Sequence, residues 1–88
     1  MLAYQFTNQF KKDLKLLEKR RYDLYELYEI LIKIIWEEPL PKRCREHHLS
    51  GDYSGFTECH VKGDWIIIYH SCEEGVVFAY TGTHSDYL

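Results

Sequence analysis

The hydrophobic and polar positions in the first quarter of the chain predict a strand and then a helix. Residues 2–6 alternate weakly between apolar and polar side chains, which indicates a short strand. Thr7 or Asn8 can cap the following helix, because either side chain can accept a hydrogen bond from an unpaired backbone N–H. The apolar residues of this helix, spaced as one face, are Phe10, Leu14 and Leu17. We expect it to end near Arg20.

A second, more apolar helix is predicted to follow. Asp23 and Glu26 have the spacing of a capping box, and Pro39 and Pro41 limit the helix to about Trp36. Its polar residues form one narrow stripe: Glu26, Glu29, Lys33 and Glu37. A helix this apolar is buried on more than one side. We expect the sheet and the first helix to cover it, and any apolar surface left exposed would bind a partner.

The second half of the chain has the two-residue period of strands. Phe56, Glu58 and His60 fall on one face of a strand, and Thr57, Cys59 and Val61 on the other. After a turn at 62–64, residues 65–69 are apolar on both faces and indicate a central strand. A turn at 73–75 leads to a last strand over 76–81, which we expect Gly82 to end. The prediction is one α+β domain over residues 1–88, in the order β-α-α-β-β-β with an antiparallel meander.

Composition limits the classes of protein further. The chain has 88 residues and a net charge of −3, with basic clusters at 11–21 and 42–45 that permit a phosphate-rich partner. The three cysteines lack zinc-type spacing, which favours reduced thiols in the cytoplasm. Neither a signal peptide nor a membrane-spanning segment is expected, since no apolar stretch approaches about 20 residues. The expected location is therefore the cytoplasm.

Polar groups that can transfer protons cluster in the β-rich half. His60 ends one strand and Asp64 begins the next, while His47 lies in the preceding loop and His84 follows the last strand. Three histidines and an aspartate could bind zinc, but no pair on one element has ligand spacing, so no metal or cofactor is predicted. Metal-free acid–base chemistry on RNA is the alternative, because histidine both gives and takes protons near neutrality. These positions could also be ordinary polar loop residues.

Four ordered segments resemble a known family. They are Glu46-His47-His48-Leu49-Ser50-Gly51, Gly55-Phe56-Thr57-Glu58-Cys59-His60-Val61, Asp64-Trp65-Ile66-Ile67-Ile68-Tyr69 and Thr81-Gly82-Thr83-His84-Ser85-Asp86. Their residues and intervals are similar to those of the YafQ branch of the RelE-type toxins, the ribosome-dependent mRNA endonucleases of type II toxin–antitoxin pairs. The resemblance spans nearly the whole chain.

The resemblance implies a RelE-like fold and cleavage of mRNA in the ribosomal A site. It also implies neutralisation by a cognate antitoxin, through which the protein would act on operator DNA only indirectly. The catalytic residues it implies are His47, His60, Asp64 and His84. As a hypothesis, Asp64 or His60 is the general base, and His84 or His47 is the acid. We predict that Trp65 packs in the core.

Two positions differ from the family pattern. Thr57 and Tyr80 stand where the family usually carries arginines, whose charge neither side chain can replace. We therefore predict a substrate-binding set of Arg43, Arg45, Thr57 and Tyr80, with the cation supplied by Arg43, Arg45 or the ribosome. Losing a charge-stabilising donor can cost ~10²–10³ in rate. The alternative function is thus an attenuated or inactive toxin homologue that mainly binds its antitoxin and regulates its operon.

Overall fold

The computed structural model describes residues 1–87, except for the side chain of residue 87, and has an α+β fold. Its strands are β1 (Ala3–Phe6), β2 (His47–His48), β3 (Thr57–Lys62), β4 (Trp65–Cys72) and β5 (Gly75–Thr83). Its helices are α1 (Asn8–Lys19), α2 (Leu24–Ile35) and the single turn α3 (His84–Tyr87). Short 3₁₀ turns at Lys42–Cys44 and Gly51–Tyr53 flank β2. The predicted fold class is confirmed.

Both long helices begin at the predicted caps. The Thr7 side chain accepts a hydrogen bond from the backbone N–H of Phe10, and Asp23 accepts one from Tyr25. Each bond satisfies a donor that has no partner within the helix. Because these caps depend on residues two or three positions apart, the sequence alone located Asp23 and limited the first cap to Thr7 or Asn8.

The sheet has five strands in the order β1-β5-β4-β3-β2. The meander β3-β4-β5 is antiparallel as predicted, but β1 pairs with β5 in parallel. Gly75 permits this pairing, because a Cβ there would overlap the carbonyl oxygen of Ala3. The expectation that Gly82 ends the last strand is wrong, since β5 continues to Thr83 and Gly82 pairs with Ile66.

The helices cover one face of the sheet. Core residues on this face come from alternate positions of the strands: Cys59, Val61, Trp65, Ile67, Tyr69, Val76 and Phe78. Trp65 is in the core as predicted, and its indole N–H donates to the Thr81 hydroxyl at 2.9 Å. The opposite face, called the open face below, carries Glu58, His60, Ile66, Ile68 and Tyr80.

One side of α2 is not covered. Tyr25, Tyr28, Ile32 and Trp36 recur at helical spacing and are all exposed, so the monomer does not bury this helix as completely as expected. We refer to these four residues as the α2 stripe.

Two of the three free cysteines, Cys44 and Cys59, are buried, and Cys72 is exposed. Burial raises the pKa of the Cys59 thiol, which keeps it protonated. In the part of the chain described, no helix is both long and apolar enough to cross a bilayer.

Candidate active site

A buried carboxylate lies at the centre of the candidate site. Glu58 is only 1% exposed, and its Oε1 atom faces the Nε2 atoms of three histidines. The distances are 3.1 Å to His84, 3.4 Å to His60 and 3.7 Å to His47. Three of the four residues predicted to be catalytic therefore meet at one oxygen atom, on the open face of the sheet.

Strand pairing brings these groups together from separate parts of the chain. Glu58 and His60 are two residues apart on β3 and share a face. His47 lies directly opposite Glu58, because residues 47–48 form β2 and pair with β3. The sequence had placed His47 in a loop, since two residues are too few to show a strand period. His84 begins α3, immediately after β5 ends.

The start of α3 is fixed by hydrogen bonds to three elements. The His84 backbone N–H donates to the carbonyl oxygen of Asp64 at 3.2 Å, which joins α3 to the β3–β4 turn. The Asp86 carboxylate accepts the Thr83 N–H at 2.9 Å and lies 3.4 Å from Arg20, the C-cap residue of α1. The Thr83 hydrogen bond lowers the pKa of Asp86 below its usual range. His84 is thereby directed towards Glu58.

Carbonyl contacts determine which histidine nitrogens carry protons. Nδ1 of His60 lies 2.9 Å from the carbonyl oxygen of Gly63, and Nδ1 of His47 lies 3.0 Å from that of Arg45. A carbonyl only accepts, so both Nδ1 atoms donate. In the neutral forms the Nε2 atoms would then turn lone pairs towards Glu58. A hydrogen bond from either Nε2 to Glu58 would require a second proton on that ring.

The histidines differ in access to solvent. The side chain of His60 is 10% exposed and both ring nitrogens already face protein atoms. The side chains of His47 and His84 are 51% and 44% exposed. His47 and His84 can therefore reach a substrate, whereas His60 lies behind them.

The two predicted arginines border this cluster. A guanidinium nitrogen of Arg45 lies 3.4 Å from Nδ1 of His60, and Arg43 donates to the Val61 carbonyl oxygen at 3.0 Å. Because Nδ1 of His60 already donates to Gly63, Arg45 contributes positive charge there rather than a hydrogen bond. Both arginines remain exposed, so a phosphate could approach them.

The other predicted site residues are less closely associated. Asp64 is exposed in the β3–β4 turn, and within residues 1–87 no hydrogen bond joins its carboxylate to His60. Thr57 is 7% exposed and lies on the helix-covered face of β3, where it contacts Nδ1 of His48. Alternation along β3 thus places Thr57 on the face opposite Glu58 and His60. Tyr80 is on the open face, in register with Ile68 and, through it, with Glu58.

The same cluster has the composition of a metal site. The ligand atoms of Glu58, His60 and His84 all lie within 4.8 Å of one another. Imidazole nitrogens and a carboxylate oxygen suit zinc or copper. No metal was predicted from the sequence, because no pair of the candidate residues on one element has ligand spacing. That criterion overlooks ligands that strand pairing brings together.

Comparison with known proteins shows the family. A family model described as the bacterial toxin of a type II toxin–antitoxin system, YafQ, matches residues 2–88. The chain belongs to the YafQ family. It is 35% identical to the mRNA interferase toxin YafQ of Escherichia coli K12 over 82 residues, 92% of this chain and 89% of that protein.

Solved YafQ-family structures have the same fold. YafQ in the E. coli DinJ–YafQ toxin–antitoxin complex superimposes with a TM-score of 0.92 at 33% identity, covering 99% of this chain and 97% of that one. A copper-bound mutant toxin from Helicobacter pylori gives a TM-score of 0.95 at 28% identity, with both chains fully covered. The resemblance found in the sequence motifs is confirmed, and with it the RelE-like fold.

Glu58 is the site residue that sequence reasoning missed in this YafQ-family chain. It lies inside the quoted motif and shares a strand face with His60, which was the available signal. A lone glutamate in a strand is ordinarily solvent-exposed, so nothing local indicated that it would be buried. Its significance depends on the three histidines that surround it.

Proposed function

We propose that this YafQ-family toxin is an endoribonuclease that cleaves mRNA on the ribosome by metal-free acid–base catalysis. The observation that carries the proposal is the buried Glu58 carboxylate, with Nε2 of His84 at 3.1 Å and Nε2 of His60 at 3.4 Å. The name of the E. coli relative, an mRNA interferase toxin, supports the choice of substrate.

The reaction needs two proton transfers and stabilisation of charge. A base removes the proton of the ribose 2′-hydroxyl, whose oxygen attacks the adjacent phosphorus. The O2′–P bond forms as the P–O5′ bond breaks, and an acid protonates the departing 5′-oxygen. The products are a 2′,3′-cyclic phosphate and a 5′-hydroxyl. Cations stabilise the negative charge that develops on the phosphorane oxygens.

The contacts suggest a division of roles among the candidates. His47 and His84 transfer protons to and from RNA, because their side chains are about half exposed and both face the Glu58 carboxylate. His60 is a positioning residue, since Gly63 and Glu58 already engage its two nitrogens. Asp64 remains a candidate base through its exposed carboxylate and the family resemblance.

Arg45 supplies positive charge in the absence of the two family arginines. Its guanidinium lies against His60 and is exposed, so it can accompany a phosphate at the cluster. Arg43, held by the Val61 carbonyl, is a second candidate. Guanidinium groups bind phosphate bidentately, which makes them suited to this role.

The proposed partners are an antitoxin, the ribosome and mRNA, all in the cytoplasm. The DinJ–YafQ complex supports the antitoxin, and the α2 stripe is the candidate surface for it. Four exposed large side chains along one helix face are the kind of surface that a partner helix buries. Operator binding would occur only through the antitoxin.

The experiment is to express the protein without its partner and to map the 5′ ends of cellular mRNA. Wild type and His48→Ala are expected to arrest growth and to generate codon-phased cleavage. His47→Ala and His84→Ala are expected to do neither. His47 and His48 are neighbours on β2 with side chains on opposite faces, so they form a matched pair.

Soluble wild-type protein that neither arrests growth nor cleaves mRNA would refute the enzyme. If that protein still bound its antitoxin and the operator complex, the alternative of an attenuated homologue with a regulatory role would stand. Equal loss of cleavage in His47→Ala and His48→Ala would instead mean that the assay reports damage to β2, and the assignment of His47 would fail.

A second candidate function concerns copper. We propose that Glu58, His60 and His84 bind Cu²⁺ and that the bound ion inhibits the enzyme. The support is the convergence of their ligand atoms and the copper-bound state of the H. pylori relative. A metal and a proton compete for the same nitrogen lone pairs, so His84 cannot transfer a proton while it holds the ion.

Isothermal titration of wild type with CuCl₂ is expected to give one ion per chain and a parallel loss of cleavage. His84→Ala should lose this binding, whereas His48→Ala should keep it. Binding that survives in His84→Ala, or no stoichiometric binding to wild type, would eliminate this role.

A further inference from the structure

A pocket next to the histidine cluster has no role in the proposed chemistry. It is a cavity of about 440 Å³ on the open face, at the end of β4 away from His60. Its lining is mainly apolar and includes the rings of Phe56, His70 and Tyr80, while Thr7, Gln9 and Ser54 contribute polar side chains. This volume lies in the range of small-molecule sites, which are mostly apolar with few polar groups.

Strand register places this pocket close to the carboxylate. Glu58, Ile68 and Tyr80 form one row across β3, β4 and β5. His70 and Val77 form the next row on the same face, two residues along the strands and therefore about 7 Å away. Tyr80 thus shares a row with Glu58 and also lines the pocket. A chain bound at Glu58 would meet the pocket within one such step.

A β-bulge turns Tyr80 towards this side. Ile68 opposes Tyr80 and Tyr69 opposes Phe78, which leaves Ala79 as an extra residue of β5. Phe78 is in the core, and strict alternation would direct Tyr80 to the core as well. The bulge reverses the alternation, so Tyr80 lines the pocket. Bulges beside active sites commonly redirect a side chain in this way.

The lining suits a flat, uncharged group better than a phosphate. No lysine or arginine is among the described residues that line the pocket, so phosphate has no cation there. Phe56 and His70 have ring centroids 5.7 Å apart, and Tyr80 adds a third ring. Single-stranded RNA is recognised by splaying out a base and stacking it on such side chains.

We propose that the pocket of Phe56, His70 and Tyr80 binds an unstacked nucleobase of the mRNA next to the scissile phosphate. This inference rests on the proposed function, and it gives Tyr80 a contact with a base where the family pattern has an arginine for phosphate. Stacking holds the RNA strand over Glu58. The pocket therefore contributes to the choice of the cleaved sequence.

The test combines protein variants with RNA that lacks single bases. Ribosome-bound mRNAs carry one abasic nucleotide at each position beside the cleavage site, and cleavage rates are measured with wild type, Tyr80→Leu and Tyr4→Leu. Leucine removes the aromatic ring but keeps an apolar side chain. Tyr4 is an exposed tyrosine on β1, outside the pocket, and serves as the control.

Wild type should lose roughly 5- to 150-fold in rate with an abasic nucleotide at one position, as expected for a lost stack of about 1–3 kcal/mol. Tyr80→Leu should lose a similar factor on intact mRNA and nothing further at that abasic position. Tyr4→Leu should behave as wild type. If Tyr80→Leu melts far below wild type, Phe56→Leu replaces it with the same expectation.

The experiment distinguishes failure of the proposed function from failure of the pocket assignment. Absence of cleavage by wild type overturns the proposed function and this inference together. Cleavage by wild type with no sensitive abasic position overturns the pocket alone. The pocket assignment also fails if the rate loss from Tyr80→Leu multiplies with the loss from the abasic nucleotide, because the side chain and the base would then act independently.

Discussion

Glu58→Gln tests the site most directly, because it removes the central charge and preserves shape. Glutamine has nearly the same volume, and its carbonyl oxygen can still accept the Nε2–H of His84. The hydrogen bond at 3.1 Å to His84 then becomes a neutral one, and the close approach of His60 at 3.4 Å loses its carboxylate charge. The carboxylate is 1% exposed, so solvent does not screen its charge.

The expected loss follows from the hydrogen bond to His84. A hydrogen bond to a charged group contributes about 1.5–3 kcal/mol, whereas a neutral one contributes about 0.5–1.5 kcal/mol. This hydrogen bond therefore loses roughly 1–1.5 kcal/mol. If this stabilisation acts in the transition state, kcat/KM falls roughly 5- to 13-fold.

The assay is single-turnover cleavage of ribosome-bound mRNA, with melting temperature measured alongside. Glu74→Gln is the matched control, because it removes the same charge from the exposed β4–β5 turn. We expect Glu74→Gln to cleave as wild type. A Glu58→Gln rate within twofold of wild type would refute the idea that the carboxylate organises the histidines, whatever its effect on stability.

Three further predictions concern the fold that supports the site. Thr81→Val leaves the buried N–H of Trp65 without its acceptor and should cost about 1–3 kcal/mol, or roughly 4–20 °C in Tm by calorimetry; an unchanged Tm would contradict this. Gly75→Ala should also lower Tm and expose the amides of β1 to hydrogen exchange, because the added Cβ would overlap the β1 backbone. Unchanged protection of these amides would argue against a tight β1–β5 contact. Asp86→Asn removes a carboxylate whose pKa is lowered by the Thr83 N–H. The stabilisation that this carboxylate provides is therefore complete above its usual pKa of 3.8 and disappears as pH falls through the lower pKa of the folded state. The Tm difference between wild type and Asp86→Asn should accordingly shrink in acid, and a difference that grows there would refute the assignment.

Much of the fold could be predicted because its signals are local. Thr7 and Asp23 cap their helices through contacts within three residues, and the strands around the 62–64 turn show their period directly. The candidate histidines also came from the sequence, through four motifs whose family is confirmed. The motifs could not show which of the candidate side chains lie on the same face of the sheet.

The structure differs from the sequence-based predictions where contacts between distant segments, rather than the local pattern of residues, determine the fold. Strand β2 has two residues and no recognisable period, so only its pairing with β3 reveals it and brings His47 opposite Glu58. Thr57 stands at a position where the family usually carries arginine, but it lies on the covered face. One side of α2 stays exposed because an 88-residue chain offers too few elements to surround a helix.

The sequence by itself determined the two long helices, four of the five described strands, their order, the family and the candidate histidines of this protein. Only the tertiary structure decided that Glu58 joins the histidines, that a bulge turns Tyr80 to the open face and that a pocket lies beside them. The physical reason is the distance along the chain over which each interaction acts. Periodicity and capping act over a few residues, whereas the surroundings of Glu58 depend on strand register between segments up to 26 residues apart.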